Sequence, residues 1–290
     1  MGPLFSREFQ VRYTEMDSYG HVNNAAYLRW MQEAAFEAST APDFPPERWA
    51  ELGRAWYIRD TEIEYLRPIS YPDRFTLDTW LSARGSAWVR REYVFRRGAE
   101  VFARAFSIWV LIDLKTGGPT VVDAAMLAPL GGLEAVPLGQ RPRFAEPPPP
   151  PVQPFTSHRV VDFRDMDAAG HVNNASYIAY IGECAWDVSA HFGWPAERMH
   201  TAGFAVFARR HQISYLQSAY HGDALTLTTY GYDLKRVMAT RHFRIERQTQ
   251  SGAELVARAN SLYVWVTYPG GQPLRTPPEY LEALQPNLAG

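Results

Sequence analysis

Asp17, Gly20, His21, Asn23 and Asn24 stand close together in the run EMDSYGHVNNAAY, from Glu15 to Tyr27. An acid, an imidazole and two side-chain amides on one short stretch suit chemistry at a carbonyl. A carboxylate activates water or attacks the carbon, and N–H donors take up the charge that develops on oxygen. Asp17 precedes Asn24 by seven positions. The acid can then lie at the mouth of a loop while the first amides of a following helix, at the positive end of its dipole, point outward. The plainer reading is that Asp17 only caps a turn beside Gly20. His21 either shuttles a proton or orders the turn by hydrogen bonding. Asn23 suits an N-cap, since a short side-chain amide accepts from the orphan N–H groups of a first helical turn.

The same run returns 150 positions later as DMDAAGHVNNASY, Asp165 to Tyr177, which brings Asp167, His171, Asn173 and Asn174 into the candidate set. The offset then holds without a gap, so that Ile63, Tyr65, Leu66 and Asp73 recur as Ile213, Tyr215, Leu216 and Asp223. After a four-residue insertion near Ser251 it resumes, with Glu100, Arg104 and Ser107 matched by Glu254, Arg258 and Ser261. Similarity on this scale is a duplicated domain. The stretch RPRFAEPPPPPVQP, Arg141 to Pro154, separates the copies, and its five consecutive prolines favour an extended segment without backbone donors. The expected division is residues 1–140, a linker at 141–154, and residues 155–290.

Each copy reads as a short strand (Phe9 to Tyr13, Arg159 to Phe163), the loop, a helix and then long strands. Val22, Ala26, Trp30, Met31, Ala34, Ala35 and Ala38 recur at three- and four-residue spacing, as do Val172, Ser176, Tyr180, Ile181, Cys184, Ala185 and Val188, so each helix buries one face. Thr61, Ile63 and Tyr65 alternate with Glu62 and Glu64, and further strands follow at Phe75 to Leu81, Ala87 to Phe95 and Phe102 to Leu111. The last is apolar on both faces and needs cover on both, which a helix across the sheet supplies. The expected class is α+β.

This order, with D-x-x-G-H-V-N-N-x-x-Y leading into a helix and I-x-Y-L on the next strand, resembles the hotdog-fold thioesterases of the hydroxybenzoyl-CoA and acyl-carrier-protein types. The resemblance covers nearly the whole chain, twice, and implies a tandem double hotdog in which one chain mimics the family's dimer, an intramolecular pseudo-dimer that further homo-oligomerisation would extend. It implies hydrolysis of an acyl thioester carried by CoA or by acyl carrier protein. Asp17 and Asp167 match the family's acid and the Asn24 and Asn174 amides its oxyanion donors, while His21 and His171 match a histidine of the catalytic network. Plant-type members carry an asparagine where this chain has Tyr19 or Ala169, and a glutamate and cysteine where it has Thr61 and Glu62 or His211 and Gln212. A cysteine nucleophile is thus unavailable and an aspartate mechanism is favoured. Glu62 is expected to assist Asp17, and His211 to point into the second cavity. The enzymatic alternative is a hotdog hydratase or dehydratase, with His21 and Glu183 as the pair to suspect. A non-catalytic acyl-CoA-binding protein is the other.

Bulk properties narrow the rest. Apolar residues are 46% of the chain and charged residues 21%, a balance able to bury a sizeable core. A formal net charge of −2 gives no overall pull toward nucleic acid or an anionic membrane. No apolar run of about 18 residues exists, and the start lacks a basic segment followed by an apolar core, so a cytoplasmic protein is expected. The single cysteine, Cys184, falls on the apolar helix face and is expected to be structural. No dinucleotide fingerprint, phosphate-cradling glycine loop or zinc-ligand spacing is present, so no cofactor or metal is implied. Arginines at 90, 91, 96, 97, 236, 241, 244 and 247 suit either solvated strand faces or substrate phosphates.

Overall fold

Phe5, Arg7 and Phe9 alternate with the exposed Ser6, Glu8 and Gln10, and this period of two makes β1 (Phe5–Gln10) the edge of a sheet in the computed structural model. The structure describes residues 4–40, 46–122 and 144–290 and divides into two compact units, Met1–Arg143 and Phe144–Gly290. The first unit continues with α1 (Asn24–Ser39), a short α2 (Pro46–Glu51), β2 (Arg54–Tyr65), β3 (Arg74–Arg84), β4 (Trp88–Arg97) and β5 (Glu100–Asp113). Its strands are all antiparallel, in the order β1-β3-β4-β5-β2. The second unit repeats the plan: β6 (Phe155–Val160), α3 (Asn174–His191), a short α4 (Ala196–Thr201), β7 (Phe204–Tyr215), β8 (Ala224–Tyr232), β9 (Met238–Thr249) and β10 (Gly252–Thr267). Their order is β6-β8-β9-β10-β7. A further helix, α5 (Pro278–Leu284), closes the chain.

This is the expected α+β architecture, and the long helix buries most of the predicted stripe, Ala38 and Ala185 excepted, together with Tyr27 and Tyr177, which the stripe did not include. In the first unit Tyr27 and Trp30 meet Phe75 and Phe95, with Trp30 and Phe75 ring centroids 4.8 Å apart and Tyr27 and Phe95 5.2 Å apart. In the second, Ile181, Cys184 and Val188 are buried, and Tyr177 stands edge-on to Tyr215. Burial pushes the Cys184 thiol up to about 11, so it is a buried, protonated packing group. The repeat's insertion lengthens a hairpin: β9 and β10 each extend two residues beyond β4 and β5, around the turn at residues 250–251.

Two expectations need correction. The first strand of each copy begins four residues and ends three residues earlier than its sequence pattern suggested, at Phe5–Gln10 and Phe155–Val160. Phe9, Val11 and Tyr13 mimic strand alternation, but Val11 is buried where the chain leaves the sheet and Tyr13 is 77% exposed on the next turn. The arginines are neither uniformly solvated nor uniformly presented to a ligand. Arg96 pairs with Asp78, Arg97 with Asp73 at 3.0 Å, and Arg247 with Asp223 and Glu254 at 2.8 and 2.5 Å. Arg91 and Arg241 are buried beneath the helices, bonded to Ser39 Oγ (2.9 Å) and Asn287 Oδ1 (2.6 Å) respectively.

The proline-rich segment is described from Phe144 onward, residues 141–143 lying outside the described residues. It runs along the second sheet: Asn260 Nδ2 donates to the Ala145 carbonyl at 2.6 Å, Tyr230 Oη donates to that of Pro148 at 2.6 Å, and Arg258 pairs with Glu146 at 2.9 Å. At the other end, Asn287 is fully buried. It takes its bond from Arg241 and donates to the Thr229 carbonyl at 3.0 Å, while the Ala289 N–H bonds the Gly231 carbonyl at 2.8 Å. The tail approaches so closely that a Cβ on Gly231 would lie 2.7 Å from Leu288.

Asn287→Ala therefore strips a buried guanidinium of its carbonyl partner. The expected cost is about 2–3 kcal/mol of unfolding free energy, read from urea denaturation; an unchanged midpoint would show that Asn287 is not the anchor.

Candidate active site

The loop between β1 and α1 is built by its own backbone. Met16 and Val22 form an antiparallel bridge, the Asp17 N–H bonds the His21 carbonyl at 2.7 Å, and the Gly20 N–H bonds the Asp17 carbonyl at 3.1 Å. Gly20 turns the chain at a φ of +75°, which a side chain would strain. The Asp17 carboxylate caps this turn, accepting from the N–H groups of Tyr19 (2.9 Å) and His21 (3.2 Å). The second copy repeats it: Met166 bridges Val172, Gly170 has φ +80°, and Asp167 Oδ1 accepts from the Ala169 N–H at 2.9 Å. His171 Nδ1 lies 3.6 Å from Asp167 Oδ1, an ionic contact only when the imidazole is protonated.

Asp17, His21, Asp167 and His171 are all half-buried, neither sealed in the core nor free in water. The turn-capping reading of the two aspartates is thus realised, and it holds their carboxylates on the loop that leads into the long helix. Asn23 and Asn173 are N-caps, their side-chain oxygens accepting from the N–H groups of Ala25 (2.9 Å) and Ala175 (2.8 Å). Their carbonyls take the next donors, the N–H groups of Ala26 and Ser176, each at 2.9 Å. Asn24 and Asn174 are the first helical residues, and their carbonyls accept from Tyr65 Oη (3.4 Å) and Tyr215 Oη (3.2 Å).

Glu62 does not share this placement. Ile63 and Tyr65 face α1, and the two-residue alternation of β2 turns Glu62 to the opposite face of the sheet. Glu33 and Glu183 are exposed, and Glu33 pairs with Arg7 at 3.3 Å. His211 is buried with Nδ1 2.7 Å from Ser261 Oγ, and burial pushes its pKa down to about 4.

Two pairs of residues carry roles that the sequence reading left unassigned. Glu15 and Asp165 pin loop to helix: Glu15 takes bonds from Trp30 Nε1 (3.2 Å) and from the Arg12 N–H (2.7 Å), and Asp165 from Tyr180 Oη (2.7 Å). Their carbonyls accept the Asn23 and Asn173 N–H groups, each at 2.8 Å. Tyr27 and Tyr177, which close the motif, are buried below it. Desolvation raises both phenols, with the charge of Asp17 adding to the shift at Tyr27 and that of Asp167, as a smaller contribution, at Tyr177. The signal available for all four was their repetition at the same offset. Among the described residues no group of His, Cys, Asp and Glu could hold a metal ion, and no helix is long and apolar enough to cross a membrane.

Comparison with known proteins bears on this geometry. A sequence profile of the thioesterase-like superfamily matches residues 11–155 and again 161–284. A palmitoyl-acyl carrier protein thioesterase of Gossypium hirsutum is 24% identical over 63% of this chain and 48% of its own length. The long-chain acyl-CoA thioesterase FadM of Escherichia coli is 30% identical over 38% of this chain and 83% of its own length. Among solved structures, the 12:0-ACP thioesterase from Umbellularia californica superposes with a TM-score of 0.69 at 17% identity, covering 91% of this chain and 97% of that one. The chain spans about half the length of the first curated relatives that it matches.

His211 supplies a pH test of the second unit's interior. Its folded-state pKa lies below the ordinary 6.5, so the stability it contributes is present in full above pH 6.5 and is lost as pH falls toward 4. Denaturation across that window is expected to show a decline on the order of 3 kcal/mol that His211→Gln lacks. Parallel pH profiles for the two proteins would contradict the buried neutral imidazole. Asn23→Ala and Asn173→Ala are each expected to cost about 1 kcal/mol by the same measurement, and no loss would remove the capping role.

Proposed function

Because this chain belongs to the thioesterase-like superfamily, we propose that it hydrolyses acyl thioesters carried by CoA or acyl carrier protein. The observation that carries this reading is a carboxylate fixed by backbone N–H groups of the loop that leads into a long helix, built twice in one chain. In the proposed reaction Asp17 or Asp167 takes a proton from water as the water oxygen adds to the thioester carbonyl. The carbonyl oxygen becomes an oxyanion and accepts from the amide of Asn24 or Asn174, a donor of a kind worth roughly 10²-fold to 10³-fold in rate. Collapse of the adduct breaks the C–S bond. The departing thiolate receives the proton through His21 or His171, and the carboxylic acid product leaves. Asn23 and Asn173 act by positioning the helix start, and Glu62, turned to the other sheet face, has no step.

The wider arrangement belongs to the same proposal. Residues 1–140 and 155–290 serve as two hotdog domains joined through 141–154, and they stand in for the two subunits of a dimer. The lone buried thiol of Cys184 suits a cytoplasmic setting.

The test is thiol release from short, long and aromatic acyl-CoAs and from acyl carrier protein, comparing the natural chain with Asp17→Asn, Asp167→Asn and the double variant. Asn preserves an acceptor for the loop amides and removes the base. The double variant is expected to lose at least about 10²-fold in kcat while remaining folded, and the single variants report which copy turns over. A fully active double variant would end the aspartate mechanism. Hydration of an enoyl thioester without release of thiol would move the reading to a hydratase.

A further inference from the structure

Gln212, Asn260, His242 and Tyr230 stand in one cross-strand row, each the register partner of the next on β7, β10, β9 and β8. Tyr215 packs on Tyr177 of α3, so the two-residue alternation of β7 turns Gln212, and the row with it, to the sheet face away from that helix. The proline-rich segment lies across this row. Gln212 Oε1 accepts the Ala145 N–H at 3.2 Å, Asn260 Nδ2 donates to the Ala145 carbonyl at 2.6 Å, and Tyr230 Oη donates to the Pro148 carbonyl at 2.6 Å. His242 Nδ1 lies 2.8 Å from Asn260 Oδ1, which leaves the amide nitrogen turned to the segment. Arg258 stands over the Phe144 ring, 4.2 Å from its centroid, and pairs with Glu146 at 2.9 Å.

The spacing of these bonds follows from two repeats. Prolines 147–151 have no N–H, so the segment cannot join the sheet as a strand and is held through its carbonyls. In the polyproline conformation that such a run favours, carbonyls three residues apart point the same way and lie about 9 Å from each other. Two strand spacings, the step from β10 to β8, are about 9.5 Å. Asn260 and Tyr230 thus meet successive like-facing carbonyls. Phe144, Pro147 and Pro148 are half-buried while Ala145, Glu146, Pro149 and Pro150 stay exposed, so the segment is laid on the face and not built into the core.

The first copy is an internal control. Its matching row, in the same register, holds Glu62, Phe106, Glu92 and Trp80. There Glu92 takes the Arg90 guanidinium at 2.5 Å, and that guanidinium covers Phe106 at 4.0 Å from the ring centroid. The same sheet therefore forms without the two amides, the imidazole and the phenol, which serve the segment and not the fold. We propose that the outer face of the second sheet is a recognition site for an extended proline-rich segment that carries an aromatic ring and, two residues later, an acid. The chain's own Phe144–Pro148 fills it, and the face takes the same segment from solution once that strap is removed.

The probe is a fluorescein-labelled peptide of residues 144–154, read by fluorescence anisotropy against two full-length proteins: the natural chain, and one with residues 144–151 replaced by glycine and serine. The replaced chain is expected to bind the peptide saturably. The natural chain is expected to bind it at least about tenfold more weakly, because its own strap competes at an effective concentration on the order of millimolar. Adding Asn260→Ala and Tyr230→Phe to the replaced chain, or Phe144→Ala and Glu146→Ala to the peptide, is expected to weaken binding at least about tenfold. Equal binding by the natural and replaced chains, equal binding after either pair of substitutions, or no binding by the folded replaced chain would each overturn the site. Hydrogen exchange at the Ala145 amide tests it without the replacement. That amide is expected to exchange at least about tenfold faster in the full chain carrying Asn260→Ala and Tyr230→Phe than in the natural one, and equal rates would overturn the site.

Discussion

The capped turn at Asp17, and its twin at Asp167, is the constraint on which the rest depends. A carboxylate near a helix start usually finds water or a distant cation. Here it is held by amides of its own loop, and Gly20 or Gly170 supplies the left-handed residue that closes the turn. The carboxylate thus keeps one position at low conformational cost on the loop that leads into the helix. Everything else around the loop resists slippage of that turn: the methionine–valine bridge, the Asn23 and Asn173 caps, and the Glu15 and Asp165 side chains reaching to Trp30 and Tyr180.

Position and reactivity are divided between layers. The long helix and five-stranded sheet of each unit form a rigid frame whose aromatic core fixes the helix axis. The loop precedes the helix of that frame and keeps Asp17, His21, Asp167 and His171 half in solvent. The interior of the second unit is different in kind. His211 with Ser261, and Arg241 with Asn287, are buried polar pairs that bond each other in place of water. Their cost of burial is offset only while those bonds stay intact.

Much of this was legible in the sequence because it is local. The GHVNN run, the helix stripe from Ala26 to Ala35 and the β2 alternation around Ile63 follow from short-range periodicity, and the offset of 150 between copies doubled each signal. What was hidden depends on contacts far apart in the chain. Nothing near Phe144 marks it as a partner of Arg258, and nothing near Asn287 points to Arg241. The first strands were displaced because Phe9, Val11 and Tyr13 imitate an alternation that the chain abandons at Val11, where the core takes the valine and solvent the tyrosine. For Glu62 the spacing along the strand was legible, but its face, opposite to Ile63 and Tyr65, follows only from the sheet register.

The central claim is that a thioester carbonyl meets the helix start next to the capped aspartate. Its most direct test is a crystal structure of the Asp17→Asn, Asp167→Asn protein with an acyl-CoA analogue in which a methylene replaces the sulfur. The account predicts the analogue's carbonyl oxygen within about 3 Å of the Asn24 or Asn174 backbone N–H, with room for a water between its carbon and the substituted side chain. A carbonyl bound away from both helix starts would contradict it.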